Sequence, residues 1–222
     1  MYTLNELPPQ LPADLVTLLS GVETATVGHF RHWGFMDPGI RALYPDRRVV
    51  GTAVTLAIPA QDSTLLHHLL GLVRPGDFLV IDRLGDSRHA CWGGGVTVAA
   101  RAAGVVGGVI DGPHTDTREI LAADMPLWSR GASPITTRIY NLGGACNVPV
   151  SCGGVSVNPG DAVLADENGV LILPATEAEA VAREALAKQQ RGSEVEQRVA
   201  GGEKLGEISG ASAMVLQALQ GG

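Results

Sequence analysis

Short apolar, β-branched segments alternate with helix-patterned ones through the first 130 residues of this chain, and after that strands follow one another. Val49–Ile58, Phe78–Asp82, Val105–Ile110 and Leu127–Arg130 read as strands. Between them, Ser63–Val73 places Leu65, Leu66, Leu69, Leu70 and Val73 on one side of a helix. Val96–Ala103 and Thr115–Ala123 read as further helices. Ala132–Asn147 shows no period, and Val148–Val157, Ala162–Ala165 and Val170–Leu173 are strand-like. That order predicts an α/β fold with layers and a mixed sheet. Upstream, Asp14–Ser20 and Val22–Trp33 read as helices. Downstream, Thr176–Glu179 has the form of a capping box and predicts a helix to about Gln190. One domain over 1–222 is expected, with an N-terminal helical segment (1–20) and a C-terminal helical tail (192–222). Gly201, Gly202 and Gly206 should break the tail, which is expected to lie on a neighbouring subunit or to fray.

Twenty-nine glycines run through apolar segments without a repeat, so they signal tight turns and close backbone approaches rather than a linker. Net charge is −7, only Lys188 and Lys204 are lysines, and no basic run exists. Nucleic acid is therefore not an expected partner, since phosphate binding needs clustered cations. Cys91, Cys146 and Cys152 fit neither a disulfide framework nor a zinc pattern and read as buried thiols. There is no leader-like N-terminus and no apolar run long enough to span a bilayer, so a cytoplasmic location and no membrane are expected.

G-x-G-x-x-G, G-x-x-x-x-G-K-[ST], G-x-S-x-G and H-E-x-x-H are all absent. Two local patterns carry chemistry. Trp92-Gly93-Gly94-Gly95-Val96 precedes a helix, so its amides can crowd toward one anionic group, or the glycines can simply serve a tight turn. Asp111-Gly112-Pro113-His114-Thr115-Asp116 follows a buried strand, at the sheet edge where open α/β sheets take ligands. Asp116 fits two roles there: an N-cap, or a ligand to a divalent cation such as Mg²⁺, which needs only one or two carboxylates. The polar clusters at Asn158–Asp161 and Asp166–Gly169 read as turns between strands.

With Arg74–Asp77, Gly104–Asp116, Ser129–Pro134 and Asn147–Pro174, of which Gly153–Asp161 is the most specific, the chain resembles the RraA-like family over roughly residues 20–190. That family includes 4-hydroxy-4-methyl-2-oxoglutarate / 4-carboxy-4-hydroxy-2-oxoadipate aldolases and regulators of ribonuclease activity. The resemblance implies a layered β/β/α swivelling fold of the phosphohistidine-domain type, and a homo-oligomer, trimer or hexamer. It also implies a class II, metal-dependent lyase using Mg²⁺ or Mn²⁺, which cleaves a small-molecule 2-oxo acid by retro-aldol chemistry or decarboxylates oxaloacetate.

The family's aldolases carry an Asp, twenty residues, then Arg-Asp. Aligned on Asp116, the Arg position is Thr115 and the first Asp position is Gly94. The resemblance thus assigns metal binding to Asp116 and substrate binding to Gly93, Gly94, Gly95, Val96 and Thr115. His114 is the candidate proton donor, with Asp86, Arg88 and His89 as further nearby substitutes for the missing groups. His67 and His68 sit on an amphipathic helix and receive no role. His29 and His32 lie one turn apart but show no third ligand. The expected function is a lyase of altered specificity; the alternative is a non-catalytic regulatory or protein-binding scaffold.

Overall fold

The computed structural model describes residues 1–220. Its elements in chain order are β1 (Tyr2–Leu4), α1 (Ala13–Ser20), α2 (Thr24–Gly28), β2 (Arg41–Ala42), β3 (Val49–Ala57) and α3 (Thr64–Leu69). Then come β4 (Asp77–Asp82), α4 (Gly94–Ala102), β5 (Gly107–Ile110), α5 (Thr117–Ala122), β6 (Leu127–Ser129) and β7 (Gly144–Cys146). The hairpins β8 (Val150–Cys152) with β9 (Val155–Val157) and β10 (Ala162–Asp166) with β11 (Gly169–Leu173) precede α6 (Ala175–Ala200), α7 (Leu205–Ile208) and α8 (Ala211–Gln220).

β3, β4, β5 and β6 lie parallel in that order. The other edge of β3 is shared: β10 pairs antiparallel along Val49–Thr52, and β7 pairs antiparallel at Leu56–Ala57. All of β3 except Val49 is buried, as a strand covered on both faces must be, and its sequence is accordingly apolar without alternation. α3, α4 and α5 are the crossovers. Leu66, Leu69, Val96 and Ile120 pack with Leu56, Ile81 and Ile110 on one face. Each fully buried leucine there stabilises by about 2 kcal/mol. On the opposite face Phe78, Val80, Val109 and Trp128 pack with Val150 and Val157 of the β8–β9 hairpin. α1 and α6 cover β10–β11 through Leu19, Leu164, Leu171 and Ala182. This is the expected layered α/β architecture with a mixed sheet. Cys91, Cys146 and Cys152 are buried free thiols. Among the described residues no helix is long and apolar enough to cross a membrane.

Five local expectations are corrected. The helix expected over Val22–Trp33 is confined to Thr24–Gly28. Arg31 leaves it to bond Glu177 at 2.8 Å and to stack on Trp33, and Met36 then pairs with Val170. Tyr2–Leu4 is an edge strand, and its partner β7 lies in the stretch expected to be irregular; three-residue strands carry no readable period. The capping box does not form: α6 starts at Ala175 behind Pro174 with no side-chain cap. It also runs past Gln190 to Ala200, its exposed surface carrying Arg183–Glu179 and Lys188–Glu184 pairs at helical spacing. Gly201 and Gly202 end α6 as expected, but Gly206 lies inside α7. Residues 221–222 of the tail lie outside the described residues.

Candidate functional site

The site forms where β4 and β5 end. Beyond Ile110 the chain turns, and His114 and Thr115 align beside Trp92, with Thr115 N donating to Trp92 O at 2.8 Å and His114 N to Gly131 O at 2.9 Å. Asp116 follows at φ 54°, a left-handed conformation that Asp and Asn tolerate better than other side chains. It holds the N-cap position of α5, yet its side chain does not cap that helix. Instead Asp116 Oδ2 accepts the amide of Gly94, the first residue of α4, at 3.0 Å.

Glycine is required on the other side of this contact. A Cβ on Gly93 would stand 2.5 Å from Asp116 Oδ2 and 2.8 Å from the Thr115 methyl. A Cβ on Gly94 would enter the space held by the Glu119 carboxylate. Two carboxylates, Asp116 and Glu119, thus approach the start of α4, where unpaired amides and the helix dipole favour negative charge. The amides of Gly95 and Val96 have no partner among the described residues.

These groups open onto a cleft of about 370 Å³ lined by Gly93, Gly94, Gly95, Val96, Thr115 and Asp116. Six of the seven sequence-predicted residues are therefore in one place. A larger hollow of about 710 Å³ between α2 and α6 contains none of them.

The facing wall was not anticipated. Residues 135–139 run between two loops: Ala90 N donates to Ile135 O at 2.8 Å, Thr137 N to Ala90 O at 3.1 Å, and Arg138 N to Gln61 O at 2.8 Å. Asp62 fastens this wall. Its buried carboxylate accepts the Thr64 amide and hydroxyl, Tyr140 N at 3.0 Å and Leu142 N at 2.8 Å. Burial raises its pKa, but the Thr64 hydroxyl and the three amides outweigh burial and hold it at about 2. Arg138 and His67 line the cleft from this side.

His114 stands elsewhere. It is 3% exposed and does not line the cleft. Nδ1 meets Ser129 Oγ at 2.7 Å and Nε2 meets Thr117 Oγ1 at 2.9 Å, so both ring nitrogens are engaged between β6 and α5. Burial pushes its pKa down, keeping the ring neutral. Asp86 and His89 bond each other at 3.0 Å, and neither they nor Arg88 line the cleft.

The donor set suits a hard cation. Asp116 offers carboxylate oxygens in the cleft, with Glu119 close behind Gly94, and Mg²⁺ takes one or two such groups with waters and substrate oxygens completing its shell. Among the described residues no three His, Cys, Asp or Glu side chains cluster into a cage.

A sequence profile of the RraA-like family, described as Aldolase/RraA, matches residues 24–172 and so takes in β3–β6, the start of α4 and Asp116. The chain belongs to the RraA-like family. An RraA-like relative from Halalkalibacterium halodurans, provisionally named 4-hydroxy-4-methyl-2-oxoglutarate aldolase, is 35% identical over 150 residues, which cover 68% of this chain and 71% of the relative. Among solved RraA-like structures, Streptomyces coelicolor RraAS2 is described as an unusual member of the RNase ES inhibitor RraA protein family. It shares 29% identity at a TM-score of 0.73, covering 85% of this chain and 97% of that one. An uncharacterized protein from Pseudomonas syringae pv. tomato aligns at a TM-score of 0.78 with 25% identity, covering 93% and 97%. The RraA-like assignment thus accounts for the fold and for relatives named as aldolases and as ribonuclease inhibitors.

Glu119, Arg138 and Asp62 escaped the sequence reading, and His67 was read there without a role. Glu119, one helical turn after Asp116, had a usable signal in its spacing. Asp62 had one too, as a turn-forming Asp two residues before Thr64. Arg138 and His67 had none.

Proposed function

We propose that this protein is a divalent-metal-dependent lyase that cleaves a small 2-oxo acid by retro-aldol chemistry or decarboxylation, releasing pyruvate or a related product. The observation that carries this reading is the Asp116 carboxylate bonded to Gly94 N in the same cleft as the unpartnered amides of Gly95 and Val96. Asp116, with Glu119 beside it, would hold Mg²⁺ or Mn²⁺. A divalent cation there supplies Lewis-acid stabilisation of the charge that develops on the 2-oxo oxygen as the neighbouring carbon–carbon bond breaks.

The chain's own groups do the rest. The Gly95 and Val96 amides hold the substrate carboxylate at the positive end of α4. Thr115 adds one hydroxyl. His67, the one imidazole lining the cleft among the described residues, takes the C4 hydroxyl proton as C3–C4 breaks in the retro-aldol case and returns a proton to C3 of the enolate. His114 is a positioning residue, holding the start of α5 against β6 so that Asp116 keeps its aim. The test is pyruvate release from oxaloacetate and 4-hydroxy-4-methyl-2-oxoglutarate with Mg²⁺, Mn²⁺ or EDTA, corrected for metal-promoted decarboxylation in protein-free controls. Metal-dependent release supports the reading, and no release above background contradicts it for these substrates.

A second reading, a protein-binding scaffold, draws support from α8, where Met214, Val215, Leu216 and Leu219 are exposed. It predicts partner capture that survives substitution of Asp116.

A further inference from the structure

Arg138 stands out among the cleft's residues by its charge. The near wall presents the Asp116 carboxylate, Glu119 stands behind Gly94, and the protein carries a net charge of −7, so an anionic ligand meets repulsion at this mouth. Relief must come from a cation that faces the cleft and is not already neutralised. Arg130, on the adjacent loop, is spent on Asp37 at 3.0 Å and on Asp111 at 2.5 Å. Arg83 is fully buried and points to Ala60 O, His89 O and Asp86. Arg138 pairs with no carboxylate among the described residues.

Its guanidinium is half tethered. Nη1 donates to Thr136 Oγ1 at 2.6 Å and more weakly to the carbonyls of Thr136 and Thr137. Nε and Nη2 have no partner among the described residues and remain available. The backbone beneath is held on both sides, Arg138 N to Gln61 O at 2.8 Å and Ser63 N to Arg138 O at 2.9 Å, with Asp62 locking the same turn. A fork presented from a fixed backbone loses less freedom on gripping a carboxylate than a free arginine does.

We propose that Arg138 receives the distal carboxylate of a 2-oxo dicarboxylic acid and so sets the preference of the cleft for dianionic over monoanionic 2-oxo acids. The assignment rests on the reading of the Asp116 side as the seat of the 2-oxo end. With that end held by the Gly95 and Val96 amides, the far end of the ligand projects toward the opposite wall, where Arg138 stands.

The test compares 2-oxoglutarate with 2-oxovalerate, which keeps the chain length and replaces the distal carboxylate by a methyl group. Both are titrated calorimetrically into the full chain with Mg²⁺ present, for wild type, Arg138→Gln and Arg138→Lys, with a thermal melt for each. Wild type is expected to bind 2-oxoglutarate about tenfold or more tightly, the size of a charge-assisted carboxylate contact. Arg138→Gln should erase that preference while 2-oxovalerate affinity stays within about twofold, and Arg138→Lys, which keeps the charge but not the fork, should retain part of it. A preference that persists in Arg138→Gln overturns the assignment. Equal loss for both ligands also overturns it, because Arg138 would then shape the wall rather than read the charge. Binding of neither ligand to wild type overturns the underlying reading of the cleft, and this assignment with it.

Discussion

Asp116 and Gly94, 22 residues apart, are joined by a hydrogen bond of 3.0 Å that ties the start of α5 to the start of α4. The residue placed to cap one helix serves the preceding helix instead. It does so at φ 54°, a conformation costing about 1 kcal/mol for a residue with a side chain. Asp116→Gly should therefore leave the melting behaviour within about 1 kcal/mol of wild type, because relief of the backbone offsets the lost bond. Mn²⁺ affinity, read by titration of the paramagnetic ion, should fall sharply in the same variant. A large stability loss with unchanged Mn²⁺ binding would make the carboxylate a staple of the fold.

Gly94 and Glu119 should be energetically coupled. A methyl group at position 94 enters the space of the Glu119 carboxylate, so Gly94→Ala must push that side chain aside. Glu119→Ala empties the space. In a double-mutant cycle the Gly94→Ala cost should shrink by about 1 kcal/mol when Glu119 is already Ala. Additive denaturation free energies would show that the two do not share that volume.

Asp62 makes the far wall acid-labile. Its pKa, about 2 in the fold against 3.8 unperturbed, is depressed, so the ionised form is the one the fold binds. The stabilisation is complete above about pH 4 and is lost as pH falls toward 2, amounting to about 2 kcal/mol. Asp62→Asn puts an amide donor against the donors of Thr64, Tyr140 or Leu142 and should lower stability by about 2–3 kcal/mol at neutral pH. It should also flatten the acid limb of the denaturation midpoint between about pH 4 and 2. An unchanged acid limb in Asp62→Asn would contradict this role.

His114 acts in the opposite range. Burial depresses its pKa below 6.5, so as pH falls the unfolded chain takes up the proton first and the fold loses stability. His114→Gln removes that proton uptake. The decline of melting temperature from about pH 7 to 5 should be shallower in the variant, even though its stability at neutral pH is lower by about 1–2 kcal/mol. Parallel slopes in the two proteins would show that His114 stays neutral in both states over this range or titrates alike in both.

How much of this was legible in the sequence followed the range of the interactions. β3, β4 and β5 were readable because strands covered on both faces are continuous apolar runs. The Gly93–Val96 loop and Asp116 were readable because sheet order brings the ends of adjacent parallel strands together. The far wall was not: Asp62 and Arg138 are 76 residues apart, and residues 135–139 attach through single bridges with no period of their own. α6 continues through Gly192 past the expected end near Gln190, because an exposed helix rich in Ala, Glu, Arg and Gln tolerates one glycine at about 1 kcal/mol.

The most direct test of the central claim is the rate of Mn²⁺-dependent pyruvate release from oxaloacetate by wild type and by Asp116→Asn. Asparagine keeps the left-handed backbone and an oxygen for the Gly94 amide while removing the charge that a cation needs. Release that is abolished by EDTA in wild type and falls by about 10²-fold or more in a folded Asp116→Asn is the result the account predicts. Equal release by the two proteins, or release in wild type that EDTA leaves untouched, would contradict it.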